Sequence, residues 1–162
     1  MHYSSLSHSL QAASSSLSEM EASTRFQPVL DDTSVEKSKI KRVLCVSGKL
    51  YYELTAERQK LHLDNVALVR IEELSPFPFS YLAHILGQYK TASEFIWVQE
   101  EPRNQGAWAH VSGRINNVLQ RIGRLDHVSY VGRAPDAVPA PGISKIFSAQ
   151  RERIIRDAFS RL

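Results

Sequence analysis

Phe95-Ile96-Trp97-Val98-Gln99-Glu100-Glu101-Pro102-Arg103-Asn104-Gln105-Gly106-Ala107-Trp108 decides the fold. Four apolar residues stop at a glutamine, two carboxylates and a proline; an Asn-Gln-Gly turn follows, and apolar residues then recur at helical spacing. This reads as strand, polar turn, helix. In an open α/β sheet such turns lie at the carboxyl ends of the strands, where ligands and partner subunits are met. Any local function is expected there.

The same alternation continues in both directions. Upstream, Arg42 to Ser47 is an apolar run of strand length, and Leu50, Leu54 and Leu61 mark one stripe of a helix over 49–63. Val66 to Ile71 is a second buried strand, after which Pro76 and Pro78 punctuate the crossover to a helix over 79–89. Glu94 to Gln99 is the third strand, and Trp108, Val111, Ile115, Val118 and Leu119 mark the buried face of a helix over 107–122. Downstream come a short fourth strand, Val128 to Val131, a proline-rich loop from Ala134 to Gly142, and a last helix with Ile146, Phe147, Ile154, Ala158 and Phe159 on its buried side. Apolar runs without polar alternation belong to strands shielded on both faces. Strands separated by helices pair in parallel through right-handed crossovers. The pattern predicts an α/β, doubly wound, mostly parallel twisted sheet with helices on both faces.

At 162 residues and 43% apolar content the chain fills one substantial core. The serine-rich opening, 1–23, is expected to be disordered or a linker; it has no arginine before Arg25, which argues against a transit peptide. Residues 24–41 form an extended lead-in, in which Phe26 to Leu30 adds a short strand or lies along the body, with Pro28 favouring an edge. Residues 42–162 form the α/β domain.

Twenty basic and 17 acidic residues give a net charge of +3, and they are interspersed. A nucleic-acid partner would call for a concentrated basic stripe, and no apolar window is long enough to span a membrane. Neither partner is expected. Arg151, Arg153, Arg156 and Arg161 are the densest basic group and complement the negative end of the last helix. Cys45, alone, forms no internal disulfide and reads as a small buried hydrophobe. The six histidines lack metal-ligand spacing, so no metal site is expected.

Two segments carry polar groups worth weighing. Ser47-Gly48-Lys49 lies where a strand becomes a helix, a place that favours an anion; it reads equally as a plain helix start with Ser47 as N-cap. Glu100 and Glu101 are adjacent, face opposite sides of an extended strand, and do not converge as an acid/base pair. One carboxylate is expected to accept amides at the start of the helix near Gly106, with Asn104 and Gln105 shaping the turn. Arg103 and Arg133 flank turns, either as clamps for a carboxylate or phosphate or as solvated charges.

Three motifs, Ser47-Gly48-Lys49-Leu50-Tyr51-Tyr52-Glu53-Leu54, Val69-Arg70-Ile71-Glu72-Glu73-Leu74-Ser75-Pro76-Phe77-Pro78, and Trp97 to Trp108, together resemble the C-terminal domain of the 2-oxoglutarate dehydrogenase first component. That component is a thiamine-diphosphate-dependent decarboxylase. The similarity runs from about Ser14 to Phe159 and includes Ser15-Ser16-Leu17-Ser18-Glu19-Met20 and Phe26-Gln27. The resemblance implies a transketolase C-terminal-like fold with an antiparallel edge strand. It implies an interface and turn role for Gln99, Glu100, Glu101, Asn104, Gln105 and Gly106, and a contribution of Ser47, Gly48 and Lys49 to an acetyl-coenzyme A site.

It also implies a division of labour. The parent would oxidatively decarboxylate 2-oxoglutarate in the tricarboxylic acid cycle and pass a succinyl group to the lipoyl-bearing succinyltransferase component of its multienzyme complex. The family's residues for thiamine diphosphate and magnesium lie in segments that this sequence lacks, so no catalytic residue and no bound cofactor are expected in the chain, and the chain alone is expected to be inactive. Its partners would be the remainder of the parent chain and the second subunit of the dimer. By the same resemblance the compartment is the mitochondrial matrix in a eukaryote and the cytoplasm otherwise. The alternatives are a nucleotide or acetyl-coenzyme A binding regulatory module and the same domain of a 2-oxoadipate dehydrogenase.

Overall fold

Val43, Leu44, Cys45 and Val46 are all fully buried, as a strand covered on both faces requires. In the computed structural model, which describes residues 14–160, they lie in one of five strands. These are β1 (Val29–Leu30), β2 (Arg42–Val46), β3 (Val66–Ile71), β4 (Glu94–Pro102) and β5 (Val128–Arg133), arranged in the sheet as β1-β3-β2-β4-β5. β2 pairs in parallel with β3 and β4, which places Cys45 beside both Val69 and Trp97; β4 pairs in parallel with β5. The Val43 and Trp97 runs are neighbouring central strands, as the sequence implies.

Successive residues of each strand point to opposite faces, and the two sets feed separate clusters. Val43, Cys45, Phe95 and Trp97 pack under α2 (Phe79–Leu86) and α3 (Trp108–Arg121) through Leu82, Leu86, Val111, Ile115 and Leu119. Leu44, Val46, Leu68, Ile96 and Val98 pack under α1 (Leu50–Lys60) and α4 (Ser144–Phe159) through Leu54, Ile154 and Phe159. The doubly wound architecture is therefore present, with two helices on each face.

The antiparallel edge strand is β1, paired to β3 with Val29 opposite Ile71. Its two residues come directly after Pro28, whose carbonyl accepts the amides of Glu72 and Glu73. The lead-in is also pinned by charge. Asp32 accepts the Leu68 amide at 2.9 Å and pairs with the guanidinium of Arg58, which donates on to the Val66 carbonyl at 3.0 Å. Both residues are buried.

Three expectations need correction. Leu61 does not continue the stripe of α1: the helix ends at Lys60, Leu61 is 45% exposed, and Arg58 occupies the buried position four residues after Leu54. In α4, Ile146 is exposed and Phe147 only half-buried, so burial begins at Ile154. The third and fourth strands run past Gln99 and Val131 to Pro102 and Arg133, because a register shift between Val98 and Pro102 lets pairing resume. The arginines of α4 also bond along its length: Arg151 pairs with Glu53 of α1, while Arg161 lies outside the described residues. Of the serine-rich opening, residues 1–13 lie outside the described residues, and Leu17–Met20 makes a 3-10 turn with the Ser16 amide donating to Glu19 at 2.7 Å. Among the described residues no helix is long and apolar enough to cross a membrane.

Candidate functional site

β2 continues into α1 on one face of the sheet, whereas its neighbour β4 continues into α3 on the other. Their diverging exits leave a crevice at the carboxyl ends, where open α/β sheets bind ligands. A cavity of about 460 Å³ lies there, between Ser47 and Leu50 on one side and Leu74, Ser75 and His110 on the other, floored by Trp97, Val98 and Gln99. That volume is in the range of small-molecule sites.

Gln99 organises the crevice. Its side chain is buried, and its Oε1 accepts the indole Nε1–H of Trp97 and the backbone amide of Trp108, both at 2.9 Å. Its Nε2 donates to the carbonyls of Gln105 at 2.8 Å, Pro102 at 3.1 Å and Glu101 at 3.3 Å. One amide thus closes the strand end, the turn and the first residue of α3 into a single unit. This corrects the expectation of a capping carboxylate: only an amide has both the acceptor and the donors that the turn demands.

The two carboxylates part company. Glu100 Oε1 lies 3.1 Å from Lys49 Nζ, with the pair mostly shielded from water, while Glu101 is exposed. The Lys49 contact is an ion pair without hydrogen-bond direction, since the same carboxylate oxygen is buried and accepts no hydrogen bond. Ser47 is not an N-cap. Gly48 and Lys49 form a turn, with Gly48 at φ +72°, and α1 begins at Leu50 with Lys49 in the cap position and no capping side chain. An anion at this turn would meet a lysine already neutralised by Glu100, with Glu101 close by.

Gly106 ends the turn at φ +65°, and a Cβ there would come within 2.9 Å of the Glu101 Cβ and 3.0 Å of Gln99 Nε2. Asn104 and Gln105 shape the turn by reaching into the loop after β5: Asn104 exchanges two 3.0 Å bonds with the backbone of Asp136, and Gln105 donates to the same carbonyl at 3.0 Å. Arg133 donates to the Pro139 carbonyl at 2.7 Å, and Arg103 lies over the rings of Trp108 and Tyr130. His110 Nε2 stands 2.7 Å from the Leu74 carbonyl, which can only accept, so this nitrogen carries the proton.

The structure therefore brings Ser47, Gln99, Glu100, Glu101 and Gly106 to one cavity and turns Asn104 and Gln105 away from it. Sequence reading missed Leu74, Ser75 and His110; the two prolines of the crossover, Pro76 and Pro78, marked a loop without showing where it lands. Among the described residues no three His, Cys, Asp or Glu side chains converge as a metal ligand set.

Residues 14–159 match the family model described as 2-oxoglutarate dehydrogenase C-terminal. The chain belongs to this family. Its relatives include the 2-oxoglutarate dehydrogenase E1 component of Rickettsia typhi, 39% identical over 147 residues that cover 90% of this chain and 16% of the relative. The 2-oxoadipate dehydrogenase complex component E1 is 40% identical in Homo sapiens, over 93% of this chain and 16% of that protein. The Danio rerio protein of the same name is 43% identical over 91% and 16%. The chain thus spans 16% of the length of these curated relatives, and a 2-oxoglutarate dehydrogenase C-terminal domain is accordingly a small part of a much larger polypeptide in each.

Proposed function

We propose that this 2-oxoglutarate dehydrogenase C-terminal domain scaffolds a thiamine-diphosphate-dependent 2-oxo acid dehydrogenase, and that its carboxyl-end face, built by the 99–106 turn and the 47–49 turn, packs against the remainder of that enzyme and its second subunit. Gln99, Glu100, Glu101, Asn104, Gln105 and Gly106 shape this interface. The observation that carries the reading is the state of Gln99: the polar side chain at the bottom of the crevice spends its acceptor and its donors on its own strand, turn and helix. Glu100 is likewise engaged by Lys49. Such groups fix a surface; they do not wait for a substrate.

On this reading decarboxylation of the 2-oxo acid, the thiamine diphosphate and magnesium, and transfer to a lipoyl-bearing component all belong to the larger assembly. In a eukaryote its compartment is the mitochondrial matrix. The substrate is 2-oxoglutarate or 2-oxoadipate, since relatives bearing both names match at 39% to 43% identity. The anion-binding alternative at Ser47, Gly48 and Lys49 is weakened by the Glu100 pair.

The test is an assay of the purified chain with thiamine diphosphate, magnesium, either 2-oxo acid and an artificial electron acceptor. No carbon dioxide above the protein-free rate is expected. Turnover abolished by Glu100→Gln would refute the scaffold role.

A further inference from the structure

The Glu101 carboxylate stands on the wall of the crevice with no cation to neutralise it. Its Oε2 lies 3.0 Å from where a Cβ on Gly106 would stand, and among the described residues the side chain accepts no hydrogen bond and makes no ion pair. Lys49 is committed to Glu100; Arg103 is spread over the rings of Trp108 and Tyr130 and does not line the cavity. Glu73, one residue before Leu74 on the opposite wall, is likewise unpaired among the described residues. The rim is therefore negative.

In the isolated chain Glu101 is exposed, and water solvates it. A surface laid over the 99–106 turn removes that water, and a carboxylate shut away in this manner is strongly destabilising unless a cation meets it. The other polar groups of the wall favour the same guest. The hydroxyls of Ser47 and Ser75 make no hydrogen bond among the described residues, and His110, whose Nε2–H is donated to the Leu74 carbonyl, keeps Nδ1 as an acceptor. Leu50 and Leu74 add apolar wall between them.

On the basis of the scaffold reading above, we propose that the crevice receives an arginine side chain from the protein surface that covers this face in the larger enzyme. The guanidinium forks onto the Glu101 carboxylate and turns its remaining donors to the hydroxyl oxygens of Ser47 and Ser75. Its methylene stem lies against Leu50 and Leu74. Arginine fits better than lysine because its five donors are planar and forked, matching a carboxylate with acceptors beside it, and because a guanidinium gives up its water more readily than an ammonium group.

The test is an NMR titration of the isotope-labelled 162-residue chain, at constant ionic strength, with the acetyl amides of arginine, of lysine and of citrulline, the neutral isostere of arginine. The arginine compound at millimolar concentration should shift the amides of Ser47 and of 99–106. The citrulline compound should bind at least about tenfold more weakly, with lysine between them. Glu101→Gln, at an exposed side chain whose loss leaves the fold intact in the same spectra, should weaken the arginine compound by about tenfold. No shift at these amides, citrulline or lysine binding as tightly as arginine, or indifference to Glu101→Gln would each overturn the proposal. If these turns nevertheless gain exchange protection in the assembled enzyme, the arginine guest alone is refuted and the scaffold role stands; turns left unprotected there would refute both.

Discussion

Gln99 Oε1 lies 2.9 Å from the backbone amide of Trp108, nine residues along the chain, and so fastens the last buried turn of β4 to the first residue of α3. The bond replaces the serine, threonine or aspartate that usually caps a helix.

Gln99→Glu keeps the acceptor for Trp97 and Trp108 and sets an oxygen against the carbonyls of Glu101, Pro102 and Gln105. The expected loss of stability is about 3 kcal/mol, the cost of buried donors lost and acceptors opposed. Glu101→Gln, at an exposed carboxylate, should change stability by less than about 0.5 kcal/mol. Urea unfolding of the two variants checks the pair; equal losses would remove Gln99 from its role.

Two glycines separate backbone strain from crowding. Gly48→Ala imposes φ +72° on an alanine in open space and should cost about 1 kcal/mol. Gly106→Ala adds contacts of 2.9 and 3.0 Å to a similar φ and should cost about 3 kcal/mol. Thermal unfolding should rank Gly106→Ala well below Gly48→Ala.

Asp32 governs the acid limb of stability. Burial pushes its carboxyl up, but hydrogen bonds from Ser34, the Leu68 amide and Arg58, with the Arg58 charge, together hold it below the ordinary value. A depressed folded value means that its contribution is complete above the unfolded carboxylate value near pH 4 and is lost as pH falls below it through the folded value. In urea titrations from pH 6 to pH 2, the gap between the native chain and Asp32→Asn should narrow only below about pH 4. A gap that narrows between pH 6 and pH 5 would contradict the pairing.

Cys45 should be silent in the folded protein. Burial pushes its thiol up to about 12, so almost no thiolate forms at pH 8, and β2 is covered on both faces. Labelling by a disulfide reagent at pH 8 should therefore track global unfolding across a urea series. Rapid stoichiometric labelling without denaturant would show that the sheet opens locally.

How far the sequence could be read depends on whether a residue's role is local or set by a distant partner. The Val43 and Phe95 runs were legible because strands buried on both faces need no partner to declare themselves. β1 was legible only as one of two readings of Phe26 to Leu30, a short edge strand or an extended segment, since two residues become a strand only through pairing with Ile71 and Arg70. Leu61 was misplaced because Arg58 owes its buried position to Asp32, 26 residues earlier, a partner that no periodicity reveals. At the crevice, Gln99, Glu100 and Lys49 stood out individually. Their roles did not, because the 3.1 Å contact between Lys49 and Glu100 joins turns from two different strands. The family resemblance, carried by whole motifs, supplied what isolated residues could not.

The most direct test is hydrogen exchange on a chimera in which this domain replaces its counterpart in a 2-oxoglutarate dehydrogenase E1 component such as that of Rickettsia typhi. Relative to the isolated chain, amides at 47–49 and 99–106 should gain protection in an assembled, active dimer. Exchange at those turns as fast in the active chimera as in the isolated chain would contradict the scaffold role.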